Sequence, residues 1–265
     1  MSDPWLDHHR ATIERATARF RERDEVRAVL VGGSIAHGFA TPSSDVDLML
    51  VVDDADWQLR RAAGRLTEID DESATYEGGY VDAKYVSLGF IREVAAHGSE
   101  NARFAFDGVA VAWSSIEGLD SLVREAARFP LEGLEERLPS FRASLRYWQW
   151  MYGEGDRTGN TFVTAMAAPN VVLFAGRLIL GHNRVLYPGY KWLLRVLRDV
   201  PEQPAGLLPA IEAVVERPDR VAVDALFELV TGYRDWGLGD QTWAARFVHD
   251  TELAWMRGRP PIADL

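Results

Sequence analysis

The sequence predicts an α/β N-terminal domain built on a mixed sheet, followed by an all-α helical bundle. Three observations carry this. Short apolar runs bounded by turn residues, the pattern of buried strands, occur only before about residue 115. From Gly118 onward the chain shows long stretches of helical period separated by Pro and Gly, such as LEERLPSFRASLRYWQWMYG and VAVDALFELVTGYRDWG. Hydrophobic residues make up 47% of the 265, enough apolar material for two modest cores. The change of character places a boundary at Phe129-Pro130, giving domains 1–129 and 130–265.

Each element of the first domain has its own signal. Leu6, His9, Ile13, Ala16 or Thr17, and Phe20 recur at a helical period, predicting a helix within 4–23. VRAVLV, residues 26–31, reads as a strand that stops at Gly32-Gly33, and DVDLMLVV, residues 45–52, as a second buried strand. Residues 56–67 read as a helix with Asp53 or Asp54 able to cap it. GGYVDAKYVSLGFI opens with a turn and continues as a strand over 80–88, then a helix over 89–96; a fourth strand follows near 109–113. There is no internal repeat or low-complexity tract.

Composition excludes several classes. Without cysteine there are no disulfides, thiolate zinc sites or cysteine nucleophiles. The start MSDPWLDHHR lacks the basic-then-apolar signal pattern, and the apolar region 162–180 is interrupted by Pro169, Asn170 and Arg177, so the expectation is a cytoplasmic protein that does not span a membrane. A net charge of −11 argues against nucleic acid as the main partner and is compatible with a cationic ligand or with an ordinary acidic surface.

The most informative stretch is LVGGSIAHGFATPSSDVDLMLVV, residues 30–52. It lacks the lysine of a phosphate-binding P-loop, and GGSIAHG does not fit the dinucleotide fingerprint. GGSIA comes within one residue of a nucleophile elbow, but no local pattern selects a partner histidine, although His182 and His249 are available. None of these readings uses the aspartates. Side chains alternate along a strand, so Asp45 and Asp47 share a face, and like charges so close repel. A wet strand end explains a lone Asp-x-Asp. In company with Gly33-Ser34 the pair makes more sense as a clamp for Mg²⁺, a hard ion that takes carboxylate and phosphate oxygens, beside a turn whose backbone N–H groups and hydroxyl hold phosphate.

Gly33-Ser34, ten intervening residues, then Asp45-Val46-Asp47 resembles the signature of the DNA polymerase β-like nucleotidyltransferase superfamily, which includes antibiotic-modifying and minimal nucleotidyltransferases. The resemblance covers about residues 26–90 and implies a nucleotidyltransferase fold joined to a helical bundle, with the active site expected in the cleft between them. It implies transfer of a nucleoside monophosphate from a nucleoside triphosphate, ATP as the first expectation, to a hydroxyl, with pyrophosphate released. Asp45 and Asp47 are then metal ligands and catalytic residues, and Gly33 and Ser34 bind the nucleotide. The family's third carboxylate falls on Asp82 in YVDAKYV, which serves as shared ligand or general base; the alternative is an exposed strand aspartate paired with Lys84. Lys191, in a Pro-Gly-Tyr-Lys-Trp segment, matches a cation that the second domain of related enzymes extends to the triphosphate, or is a lysine whose stem lies along core aromatics.

The acceptor implied by the antibiotic-modifying members is a small cationic, aminoglycoside-like molecule. The acids of the helical half, among them Glu202, Glu212, Glu216, Asp219, Asp224, Glu228, Asp235 and Asp240, would favour it or are simply solvated surface. Two other readings stay open on the same fold: a protein-modifying antitoxin that transfers AMP, and a catalytically silent nucleotide-binding protein. Arg177-x4-His182 matches the spacing of helical ribonucleases, but Gly181-His182-Asn183 also reads as a helix stop. His37 packs or caps beside the phosphate turn, the His8-His9 pair lacks metal-site spacing, and the tryptophans fall mostly at core positions of helices.

Overall fold

The computed structural model describes residues 5–239 and 242–258. The chain divides into two compact units, Met1–Phe129 and Pro130–Leu265.

The first unit is a five-stranded mixed sheet of order β3-β4-β2-β1-β5. Its strands are β1 (Ala28–Val31), β2 (Val46–Val52), β3 (Thr67–Asp70), β4 (Val81–Ser87) and β5 (Ala110–Ser114). β2 and β4 run parallel; the β1–β2, β1–β5 and β3–β4 pairs are antiparallel. The central strands are apolar on both faces, as strands covered on both sides must be. Val29, Val31, Leu48, Leu50, Ala83 and Tyr85 form one core with Ile13, Ala16 and Phe20 of α1 (Asp7–Phe20). Ala28, Leu30, Val51 and Val86 form the other with Ile91 and Val94 of α4 (Leu88–His97) and Leu119 and Val123 of α6 (Leu119–Ala126). The remaining helices of this unit are α2 (Gly33–Ala36), α3 (Asp54–Ala62) and α5 (Glu100–Phe104).

Two sequence expectations are corrected here. The helix read over 56–67 ends at Ala62, where Gly64 takes the left-handed conformation at φ 66°, and Thr67 already belongs to β3. That strand is short and mostly exposed, so it shows no apolar alternation. The apolar run 162–180, expected to be too interrupted to cross a membrane, lies in one continuous helix, α8 (Thr161–Asn183), with Pro169, Asn170 and Arg177 inside it.

The second unit holds α7 (Leu134–Thr158), α8, α9 (Leu193–Arg198), α10 (Leu207–Glu216), α11 (Arg220–Tyr233), α12 (Trp243–Asp250) and a 3₁₀ turn, Ala254–Arg257. Among its described residues there is no strand. α7 and α8 form a hairpin that turns at Gly159, φ 68°, and restarts at Asn160, whose side chain accepts from Val163 N at 3.2 Å. By length and composition α8 could cross a membrane, yet half of its most apolar window is buried within the protein. Val171, Ala175, Leu178 and Ile179 lie in the core of this unit. Arg177 is accommodated by stacking, its guanidinium 4.4 Å from the ring centroids of both Phe141 and Tyr187.

Candidate active site

The sheet register builds the site. In the parallel β2–β4 pair Asp47 lies opposite Asp82 and Met49 opposite Lys84. The pairing continues past the strand ends, because Val46 N donates to Tyr80 O at 3.1 Å. Alternate residues share a face, so Asp45, Asp47 and Met49 form one column and Tyr80, Asp82 and Lys84 the next. The opposite face of the same segments is buried: Val46, Leu48, Val81 and Ala83 have at most 1% of their surface exposed. The apolar alternation therefore forces both aspartates of the central strands onto one open patch, half-buried and side by side.

The turn after β1 closes over that patch. Gly32 N donates to Asp47 O at 2.9 Å. Gly33 has φ 60°, and a Cβ built on it would stand 1.7 Å from Asp47 Oδ2 and 2.6 Å from Asp47 Cβ. Only glycine fits. Besides the expected close approach of phosphate to the backbone, the bare Cα of Gly33 lets the Asp47 carboxylate approach. Ser34 is buried, and among the described residues its Oγ has no hydrogen-bond partner. A buried hydroxyl without a partner is costly; Thr17 Oγ1 shares that state. α2 is a single turn, so the donors here are the local N–H groups and the hydroxyl rather than a long helix dipole.

Gly32, Gly33, His37, Asp47, Asp82 and Lys84 line a cavity of about 150 Å³. Pockets that enclose a whole drug-sized ligand run from about 300 Å³ upward, so this one has room for phosphates and an ion but not for a nucleoside as well. Lys84 is exposed and, among the described residues, forms no ion pair; the alternative in which it neutralises Asp82 as a salt bridge is not realised. His37 stacks on Phe104 (centroids 4.2 Å apart, planes 19°) and on Phe39 (5.5 Å, 30°). Burial holds its pKa below the ordinary histidine value, with Asp107 opposing, so the ring is neutral at pH 7.

Asp45 lies just before β2. Tyr80 is its neighbour in the continued register, and the Asp45 carboxylate, with the Asp82 and Asp47 charges, raises the phenol's pKa. Tyr80 thus sits within the field of all three aspartates. Sequence reasoning missed it; its position two residues before Asp82, on the same strand face, was the available signal.

The other singled-out residues lie in the second unit. Lys191 is exposed, its ammonium 4.8 Å from the Trp192 ring centroid. His182 pairs through Nε2 with Glu202 at 2.8 Å and meets Arg234 Nη1 at Nδ1 at 2.6 Å, while Asn183 bonds Ile179 O and both backbone groups of Glu202. These are the contacts of a clamped helix end. Arg177 is engaged with Phe141 and Tyr187 instead. Several acids have local tasks: Asp219 caps α11 by accepting from Ala222 N at 2.7 Å, Asp224 pairs with Arg220 at 2.6 Å, and Asp235 accepts from Gly237 N at 2.8 Å. Glu212, Glu216 and Glu228 are exposed, and Asp240 lies outside the described residues.

A mixed sheet with a Gly-Ser turn over paired strand carboxylates defines a class, and comparison with known proteins gives the same one. Residues 13–86 match the family model of the nucleotidyltransferase domain, which makes the N-terminal unit a nucleotidyltransferase domain and the chain a transferase of that general chemistry. Among solved structures, the chain is similar to a nucleotidyltransferase-like protein from Exiguobacterium sibiricum 255-15, with 12% identity and a TM-score of 0.47 over 96% of this chain and 81% of that one. No curated protein matches the chain in sequence.

Proposed function

We propose that the chain transfers a nucleoside monophosphate from a nucleoside triphosphate, ATP being the first candidate, to a hydroxyl of a small molecule, at the site formed by Gly33, Ser34, Asp45, Asp47 and Asp82. The observation that carries this reading is the side-by-side placement of Asp47 and Asp82 beneath the Gly33-Ser34 turn.

The residues fit a divalent metal. Their donors are all carboxylate oxygens, the set preferred by Mg²⁺, which binds through one or two carboxylates plus substrate phosphates rather than a complete protein cage. Among the described residues no group of three or more metal-ligating side chains converges, so an ion here would need substrate phosphates or water to complete its ligands. Asp47 and Asp82 would hold the ion with Asp45 beside them; when bound, Mg²⁺ neutralises phosphate charge and lowers the pKa of a hydroxyl. The chain's own contribution is positioning and charge. The N–H groups of the Gly33 turn and the Ser34 hydroxyl hold the phosphate tail, and Lys84 offsets part of its charge. Asp82 accepts the proton of the acceptor hydroxyl as its oxygen bonds to the α-phosphorus and pyrophosphate leaves.

The acidity of the chain supports a cationic acceptor of the aminoglycoside type, and the same charge and cysteine-free composition support a cytoplasmic location. The test is pyrophosphate release with each nucleoside triphosphate and Mg²⁺ over a panel of aminoglycosides, lincosamides, amino sugars and neutral sugars, comparing wild type with Asp47→Ala. Turnover is expected with a cationic acceptor and is lost in the variant. A variant as fast as wild type refutes the site; turnover confined to neutral acceptors refutes only the acceptor.

A further inference from the structure

We propose that Tyr80, Tyr76 and His9 are positioning residues that fix Asp45 for divalent-cation binding; the proposal rests on the metal-site reading above. The need for such a brace follows from where the aspartates lie. Asp47 is inside β2, held by the ladder on both sides: Gly32 N bonds its carbonyl and Asp82 is its register partner. Asp45 precedes the strand, at the end of the 37–45 loop, with the ladder on one side of it only, through Val46 N to Tyr80 O.

Side chains take over there. The carbonyl of Ser44, the residue before Asp45, accepts from the Tyr76 hydroxyl at 2.5 Å and from His9 Nε2 at 3.1 Å. Two donors on one carbonyl use both of its lone pairs. His8 Nε2 bonds Pro42 O at 3.0 Å in the same loop, and the rings of His8, His9 and Tyr76 pack together with centroids 4.2 to 5.3 Å apart. Tyr76 is itself immobilised. The bare Cα of Gly79 lies against its ring, where a Cβ would come within 2.6 Å. Its neighbour Thr75 is tied to α1, donating from N to Thr12 Oγ1 at 3.1 Å and from Oγ1 to His8 O at 2.9 Å. Tyr80, whose carbonyl accepts from Val46 N at 3.1 Å, stands beside Asp45 across the strand pair, with its hydroxyl available to the Asp45 carboxylate. A carboxylate has about four acceptor positions, so Asp45 can keep Tyr80 on one oxygen while the other meets a cation. The His8-His9 pair, which has no metal-ligand spacing, thereby acquires a function as a support for a ligand rather than as a ligand.

Outer-shell partners of metal ligands typically contribute a factor of about 10–100 in affinity. The experiment measures Mn²⁺ binding to the full chain, without nucleotide, by electron paramagnetic resonance, in wild type, Asp47→Ala, Tyr80→Phe, Tyr76→Phe, His9→Ala and His9→Gln, with thermal unfolding of each. Both phenylalanine variants keep the ring and remove only the hydroxyl; His9→Gln keeps an N–H donor. Expected are Mn²⁺ binding by wild type, none by Asp47→Ala, a loss of about 10-fold in Tyr80→Phe and Tyr76→Phe, and a loss in His9→Ala that His9→Gln restores, at near wild-type melting temperatures. Wild-type affinity in Tyr80→Phe and Tyr76→Phe overturns the proposal and leaves the Asp47 site standing, whether or not the variants are less stable. Absence of Mn²⁺ binding by wild type overturns both.

Discussion

Replacing Gly33 by alanine perturbs one contact whose cost can be worked from the geometry. At φ 60° any L-residue is in the left-handed region, which costs about 1–2 kcal/mol. The new methyl would also lie 1.7 Å from Asp47 Oδ2, 2.3 Å from its Cγ and 2.6 Å from its Cβ. Because the overlap reaches down to Cβ, swinging the carboxylate away is not enough; the turn or the strand must shift, an overpacking cost of about 1–3 kcal/mol. The sum, about 2–5 kcal/mol, is below the 5–15 kcal/mol of a typical domain, so Gly33→Ala should fold, with a lower urea midpoint. Its activity should fall by orders of magnitude, because Asp47 is displaced. The decisive control is Asp47→Ala. Without the carboxylate the two shortest overlaps disappear but the contact with Cβ at 2.6 Å remains, so in that background Gly33→Ala should cost less than in wild type, though more than the backbone strain of about 1–2 kcal/mol. The double-mutant cycle should show a coupling of about 0.5–3 kcal/mol. Strictly additive stabilities, or a Gly33→Ala enzyme with wild-type turnover, would show that the glycine is not there for the aspartate.

Two further outcomes concern pH. Burial lowers the pKa values of His37 and His9, so the unfolded chain takes up protons more readily than the folded one; stability should be complete above the ordinary histidine pKa and decline as pH falls through it. Urea midpoints between pH 8 and 5 should show this decline, and His37→Gln should reduce its slope. At the other extreme, Tyr85 is pushed up to about 12 by burial and by donating to Glu68 Oε2 at 2.6 Å. Its neutral form therefore stabilises the fold below the ordinary tyrosine pKa, and that contribution is lost as pH rises towards 12. Alkaline unfolding followed at the phenolate absorbance should coincide with ionisation of this residue and begin at a different pH in Tyr85→Phe.

How much of this was legible in the sequence differs by residue. β1, β2, β4 and β5 show themselves because their apolar runs end in Gly, Asp or Ser; β3 does not, since Thr67 and Glu68 lie on an edge strand that buries little. The helical period over 167–183 is legible and α8 follows it, but the apolar run looks broken by Pro169 and Arg177, whereas a proline's missing N–H is tolerable on an exposed helix face and an arginine can stack between two rings. In the candidate site, Gly33, Ser34 and Asp47 could be picked out by local spacing and strand alternation, and Asp82 only through the resemblance to the nucleotidyltransferase signature. The overlap between Gly33 and Asp47 could not, because it depends on how a turn settles on a neighbouring strand. Nor could the brace at Ser44: its donors Tyr76 and His9 are 32 and 35 residues away in sequence. What the chain states locally is which groups exist; which of them touch is decided by tertiary packing.

The charge of the site leads to a last prediction, on metal removal. Asp45, Asp47 and Asp82 occupy two adjacent columns of one sheet face, and Asp47, Asp82 and Lys84 line the cavity there. A triphosphate entering this patch meets like charges. At a separation of about 8 Å and an effective dielectric constant of about 20, each pair of unit charges costs about 2 kcal/mol. Three carboxylates against one phosphate charge cost about 6 kcal/mol, Lys84 returns about 2 kcal/mol, and about 4 kcal/mol of repulsion remains. Salt screening lowers that figure at an open site, but even half of it is more than a tenfold change in affinity. The hydrogen bonds offered by the Gly33 turn and Ser34 are each worth about 1 kcal/mol net, too few to overcome it. ATP should therefore bind the protein with Mg²⁺ and bind at least ten times more weakly in EDTA, by calorimetry at fixed ionic strength. Asp82→Asn should narrow the gap by removing one of the repelling charges. Equal affinity with and without the metal would mean that the phosphates do not lie over these carboxylates, and the assignment of the cavity would have to be abandoned.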